Sequence, residues 1–274
     1  MTAFVVAGLA GIVLGGVLSA LPGRLAAGLW LQAAGALALG LTGAWVLYGS
    51  DEWGAPFTSE LTPKVGIDGM TGFFLAMLAL VACPALVFAS SYLPRTRAGR
   101  ITGALGAAFL LALIGVLCAR DALTFLFFWE LMTLVPAAII LTGTSTEAAR
   151  HTVFTYVAIT HLGGAGTWIA LLLLAHEGAI GDATALSEGS GVQAVIAVAA
   201  IIVFGTKAGL MPMHVWLPRA HPIAPASISA LMSGVMVAVA AYGLIRVLVD
   251  WLGPPPSWVG AAMLVLGGLS ALGG

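Results

Sequence analysis

Lys207 lies inside a hydrophobic stretch, five residues before Pro212, and Glu130 sits in the middle of another, in a chain where only 8% of residues are charged. An ammonium near the centre of a bilayer costs at least ~2.5–3.5 kcal/mol on insertion scales, so it is retained where it finds a partner or a proton path. Glu130 is the one carboxylate at similar depth in any other span. The chemistry this pair suggests is proton exchange. Glu130 would accept a proton or act as counter-charge to the lysine, and Lys207 would change protonation when that counter-charge moves. The physical basis is general: burial disfavours the charged form of a group, and a nearby opposite charge favours it. The structural alternatives are a neutral, hydrogen-bonding Glu130 and a static Glu130–Lys207 pair that fixes helix packing.

Three histidines accompany them. Histidine titrates near neutral pH and can relay protons, although an intramembrane histidine also serves as a hydrogen-bonding contact between helices. His161 is flanked by Thr160, Gly163 and Gly164 in mid-span. His214 and His221 fall in a stretch punctuated by Pro212, Pro218, Pro222 and Pro225, where they either relay protons or order irregular backbone. Proline removes a backbone donor and clashes with the preceding turn, so the segment from about Gly209 to Pro225 cannot be one straight helix. At membrane depth, such breaks occur where protein or water satisfies the freed groups. The two cysteines, Cys83 and Cys118, fall at different depths, so no disulfide is expected. No C-x-x-C, metal-ligand spacing or nucleotide loop occurs, and the chain is expected to hold no cofactor.

The elements that must position these groups are membrane spans. The chain has 274 residues, 61% of them hydrophobic, with a mean hydropathy of +1.09. A soluble domain carries about 25% charged residues, and no soluble interior hides this much apolar surface. The net charge of −1 excludes a nucleic-acid footprint. With no Lys or Arg before Arg24, a cleaved signal peptide is not expected. A 20-residue apolar window gives nine spans, at about 3–21, 26–49, 68–92, 101–119, 121–141, 151–176, 192–217, 225–250 and 258 to the end. Polar loops fall at about 50–67 and 177–191. With the N-terminus outside, the inner connectors hold Arg24, Arg95, Arg97, Arg100, Arg150 and Arg219, and the outer ones only Lys64 and Arg120 as cations. That arrangement satisfies the positive-inside rule. Arg246, near the outer end of the eighth span, is expected to snorkel to the surface.

The longest motif is Gly205-Thr-Lys207-Ala-Gly-Leu-Met-Pro212-Met-His214-Val-Trp216-Leu-Pro218-Arg-Ala-His221-Pro-Ile-Ala-Pro225, followed by Ser229-Ala-Leu-Met-Ser-Gly234-Val-Met. With Phe128-Trp129-Glu130-Leu-Met and Ile67-Asp68-Gly69-Met70, it resembles the antiporter-like subunits of respiratory complex I, Mrp-type cation/proton antiporters and membrane-bound hydrogenases. The Leu-Met-Ser-Gly-Val-Met wording and the Thr160-His161-Leu-Gly run are most similar to the large membrane subunit of hydrogenase-4 and formate hydrogenlyase complexes. The resemblance implies an all-α polytopic bundle of about nine spans, the first of two inverted repeats, with a discontinuous seventh helix. Residues 1–100 would form an N-terminal three-helix segment, 101–252 the first five-helix repeat, and 253–274 the start of a truncated second repeat.

By the same resemblance, Glu130 and Lys207 are the glutamate–lysine pair of a first proton half-channel, Pro212 and Pro218 mark its helix break, and His161, His214 and His221 are accessory polar groups. The implied function is that of a non-catalytic, proton-translocating subunit of a redox-driven complex. Its partners would be other membrane subunits and a peripheral redox module in a bacterial inner membrane. The alternatives are a subunit of a multi-subunit Na⁺/H⁺ antiporter and a truncated scaffold without transport. The sequence departs from the family pattern in two places. Ala238 stands where many members carry a relay lysine, and the chain stops at Gly274, inside the ninth expected span.

Overall fold

The computed structural model describes residues 1–49, 51–144 and 146–273; Gly274, the end of the ninth expected span, lies outside them. Eight helical spans are long and apolar enough to cross a membrane: α1 (Thr2–Ala20), α2 (Leu25–Gly49), α3 (Gly69–Tyr92), α4 (Arg97–Cys118), α5 (Ala122–Gly143), α6 (Glu147–His176), and the longer runs Gly191–Ala220 and Ala226–Trp251. A shorter apolar helix, Ser257–Gly273, follows. These bounds match the spans read from hydropathy to within a few residues at most ends.

Local chemistry sets where the helices begin. Asp68, Thr96, Asp121, Thr146 and Ser190 each stand just before a helix, and each side chain accepts a hydrogen bond from the backbone N–H three residues on. An N-cap of this kind satisfies one of the four orphan donors of a helix start and is worth ~1 kcal/mol.

Small residues and a buried amide hold the first spans together. A side-chain carbon added to Gly28 would stand 2.5 Å from the Gly15 carbonyl oxygen, and one on Gly43 2.5 Å from that of Gly72. The backbones of α1, α2 and α3 therefore touch, as expected where packing rather than hydrophobicity drives association. Gln32 of α2, fully buried, donates to Ser19 Oγ of α1 at 3.0 Å and to the Gly103 carbonyl of α4 at 3.1 Å.

The seventh span is discontinuous, as the prolines require. Here α7 covers Gly191–Ala208 and ends at Gly209, whose φ of 74° is open to glycine and costly for a residue with a Cβ. The Leu210 N–H returns to the Gly205 carbonyl at 2.8 Å. A 3₁₀ turn (Met213–Trp216) and a short α8 (Leu217–Ala220) complete the span. In the eighth span two π-turns, Met232–Met236 and Arg246–Trp251, interrupt the regular helix. Such bulges are frequent at functional sites, and Ala238 lies just beyond the first.

One end of the bundle is closed by the loop between α2 and α3. Trp53 and Gly54 pair antiparallel with Ile67 and Gly66, and the loop backbone bonds Arg120 through Thr58 N–H and Lys64 C=O. Beneath it lies a charged cluster. Arg246 does not snorkel: it is 5% exposed, it donates to both Asp68 oxygens at 2.5 Å, and it pairs with Asp250 at 2.7 Å. Arg120 approaches Asp68 at 3.4 Å, and both guanidinium groups lie over the Phe57 ring, at 4.2 and 4.7 Å. An arginine with a carboxylate in reach inside the protein gains more from that bond than from extending to water.

Burial raises the pKa of Asp68, but the hydrogen bond from Arg246 and the charges of Arg120 and Arg246 outweigh it and hold the carboxyl at about 2. A depressed carboxylate pKa adds stability that is complete above the ordinary value near 3.8 and is lost as pH falls towards about 2. The expected outcome is that Asp68→Asn lowers stability by about 3 kcal/mol at neutral pH, because two buried guanidinium groups lose their shared anion. Thermal unfolding in detergent measures this, and the gap between the two proteins should shrink as pH drops from 4 to ~2.

Candidate functional site

Glu130 is the ninth residue of the 22-residue α5, so at ~1.5 Å per residue it stands near the middle of that span. Lys207 is next to last in α7, two residues before Gly209, where the break begins to turn the chain aside. Lys207 reaches α5 from α7, whereas Glu130 extends from α5 itself towards α6. Lys207 is 1% exposed, and its ammonium donates to the hydroxyl of Thr133, one turn beyond Glu130 on the same helix. It also lies 5.5 Å above the Trp129 ring. Thr133 is the one hydrogen-bond acceptor of Lys207 among the described residues, and it is neutral.

The Glu130 carboxylate points to α6. Its Oε2 meets His161 Nε2 at 3.0 Å and its Oε1 accepts from Trp168 Nε1 at 3.1 Å. No Glu130–Lys207 ion pair forms in this conformation. The pair expected from the sequence is replaced by a Glu130–His161 contact on one side and a Thr133–Lys207 contact on the other, one helical turn apart.

The other nitrogen of His161 adds a constraint. Its Nδ1 lies 3.0 Å from the Val157 carbonyl, which can only accept, so Nδ1 carries a hydrogen. His161 thus bridges the Val157 carbonyl and the Glu130 carboxylate. The Glu130 and His161 side chains are 25% and 37% exposed.

Glycines bring these groups close. A Cβ on Gly163 would meet Thr206 at 2.9 Å, so α6 and α7 touch beside Lys207, and next to it Gly164 faces Glu130 Oε1. The helix end behind Lys207 is satisfied by side chains as well as backbone: Trp216 Nε1 donates to the Thr206 carbonyl at 2.8 Å.

His214 and His221 are not brought to the Glu130–Lys207 centre. His214 lies in the 3₁₀ turn with Nδ1 buried and unpaired. His221 Nδ1 contacts Ser229 Oγ at 3.2 Å and its Nε2 is buried without a partner. Pro212 and Pro218 occupy the break, Pro218 inside α8. Sequence reasoning did not identify Thr133 as the lysine's acceptor, or Trp168 as the donor to Glu130. The second had a legible signal, since His161 and Trp168 are seven residues apart and share a helix face.

Residues 119–274 match the family model described as NADH:quinone oxidoreductase/Mrp antiporter, transmembrane. The chain is 37% identical over 211 residues to an uncharacterized protein of Mycobacterium tuberculosis, covering 77% of this chain and 33% of that one. It is 31% identical over 222 residues to hydrogenase-4 component B of Escherichia coli, covering 78% and 32%. The chain thus spans about a third of the length of these curated relatives. Its fold is similar to a chain of the membrane-bound sulfane sulfur reductase, an archaeal respiratory membrane complex, with a TM-score of 0.74 at 17% identity, covering 99% of this chain and 57% of that one.

A double-mutant cycle tests the local geometry. Thr133→Val removes the lysine's acceptor and is expected to cost about 1–3 kcal/mol with Lys207 present. In a Lys207→Met background the same change should be nearly neutral, because no ammonium remains to be satisfied. Equal costs in both backgrounds, measured by unfolding in detergent, would show that the hydroxyl serves something other than Lys207.

Proposed function

Because this chain belongs to the NADH:quinone oxidoreductase/Mrp antiporter transmembrane family, we propose that it is a proton-translocating membrane subunit of a redox-driven complex of the hydrogenase or complex I kind. The observation that carries this reading is the split arrangement of the two charges around one turn of α5. Glu130 meets His161 at 3.0 Å, and one turn away Lys207 rests on a neutral hydroxyl. The carboxylate has two places to go. Turned to Lys207 it stabilises the ammonium; turned to His161 it leaves the amine among neutral groups. Thr133 lies between, with a hydroxyl that accepts from Lys207 and can donate in turn.

In this mechanism the Glu130–His161 pair takes up a proton and Lys207 passes one on, each step gated by which partner the carboxylate holds. Electron transfer in partner subunits would supply the energy by moving charges that shift Glu130 between them. His214 and His221, with buried unpaired nitrogens, are suited to carry protons along the broken segment through water. The 31% identity to hydrogenase-4 component B supports the hydrogenase setting. The excess of arginines in the inner connectors supports a bacterial inner membrane with the N-terminus outside.

Lys207→Ala is expected to abolish proton translocation in the assembled complex while electron transfer partly survives. Simultaneous measurement of acidification and substrate reduction in membrane vesicles decides it. Undiminished pumping by Lys207→Ala would overturn the assignment, and sodium-dependent pumping without any redox substrate would point instead to a cation/proton antiporter.

A further inference from the structure

The ninth helix, Ser257–Gly273, is loosely seated: Val259 is its one fully buried residue among those described. Its far end nevertheless reaches the break behind Lys207. The Met211 N–H lies beyond the end of α7 and has no helical acceptor. Ser270 Oγ receives it at 2.8 Å and gives its own hydrogen to the Leu266 carbonyl at 2.7 Å. One turn on, Gly273 leaves room for the Met211 side chain, which any Cβ there would strike.

The other hydrogen bonds to the backbone of 209–213 come from within the seventh span: Gly209 N–H to Thr206, Leu210 N–H to Gly205 and Met213 N–H to Leu210. Among the described residues, Ser270 supplies the one that comes from outside. A freed amide at this depth needs a partner, since an unsatisfied one costs several kcal/mol in hydrocarbon. The serine is therefore placed where it fixes the path of the chain four residues after Lys207.

We infer that Ser270 is a positioning residue for Lys207. By holding the unwound Met211 segment, the ninth helix sets where the lysine-bearing helix ends and so where the amine sits against Thr133. That helix lays Ala262, Met263 and Leu266 against the core, which holds Ser270 at its far end in register with the break. The inference rests on the reading of Lys207 as a proton carrier.

The test compares wild type, Ser270→Ala, Ser270→Thr and Lys207→Ala in the full assembled complex, by hydrogen–deuterium exchange over the Met211 segment and by the pH profile of proton translocation. Ser270→Ala is expected to speed exchange at Met211 about tenfold, the scale of one lost hydrogen bond, and to move the pH profile. Ser270→Thr, which keeps the hydroxyl, should restore both. If Ser270→Ala does not assemble, Ser270→Cys, a weaker acceptor of similar volume, takes its place. Unchanged exchange overturns the inference. So does faster exchange with an unmoved pH profile, which would make the contact structural only. The two failures separate: if Lys207→Ala pumps normally, the reading of Lys207 falls, whereas a silent Ser270→Ala beside an inactive Lys207→Ala rejects only the role of Ser270.

Discussion

An amine enclosed in hydrocarbon with a single neutral acceptor is the constraint around which spans five to seven are built. The buried Lys207 must be delivered to Thr133, so α7 must lie against α5, and Gly163 in α6 lets α7 come close enough. The amine sits near the end of its helix, one residue before the last position of α7. The helix stops at Gly209, and stopping inside a membrane exposes carbonyls and amides that lipid cannot satisfy. Trp216, the Leu210 return bond and Ser270 answer those groups one by one. Each follows from placing a chargeable nitrogen at that depth.

The remaining spans form a stiffer frame. Touching backbones at Gly15–Gly28 and Gly43–Gly72, and the Gln32 bonds to Ser19 and Gly103, hold α1 to α4 as one packed body. At the end of the bundle that the α2–α3 loop closes, Asp68 gathers Arg120 and Arg246 beside Phe57. This frame carries charges that are matched and fixed, while the charges near α5 have alternative partners. That difference separates a structural ion cluster from one suited to proton exchange.

Much of this was legible in the sequence because hydropathy, caps and prolines act locally. The run from Lys207 to Pro225 dictates a broken helix whatever surrounds it, and Asp121 or Ser190 before an apolar run dictates a helix start. Which way a side chain turns is a different matter. Hydropathy puts Glu130 at a depth similar to that of Lys207, but it does not say that the carboxylate turns to His161. The choice depends on the angular placement of α6 relative to α5, which the glycines set only once packed. Arg246 shows the same limit. Near a span end it reads as a residue that reaches for water, and only the fold brings Asp68, distant in the chain, beside it. The service of Thr133 as the acceptor of Lys207 belongs to a contact between residues 74 apart.

The Asp68–Arg246 bond joins residues 178 positions apart, which has a consequence for how the protein is made. When α3 leaves the insertion machinery, Asp68 has no arginine from the eighth span, because that span has not been synthesised. Until it arrives, the loop over Phe57 holds only one of its two guanidinium groups. The closure at this end of the bundle therefore cannot be completed before the eighth span is in place, so the cluster ties the order in which contacts form to the order in which the chain is made.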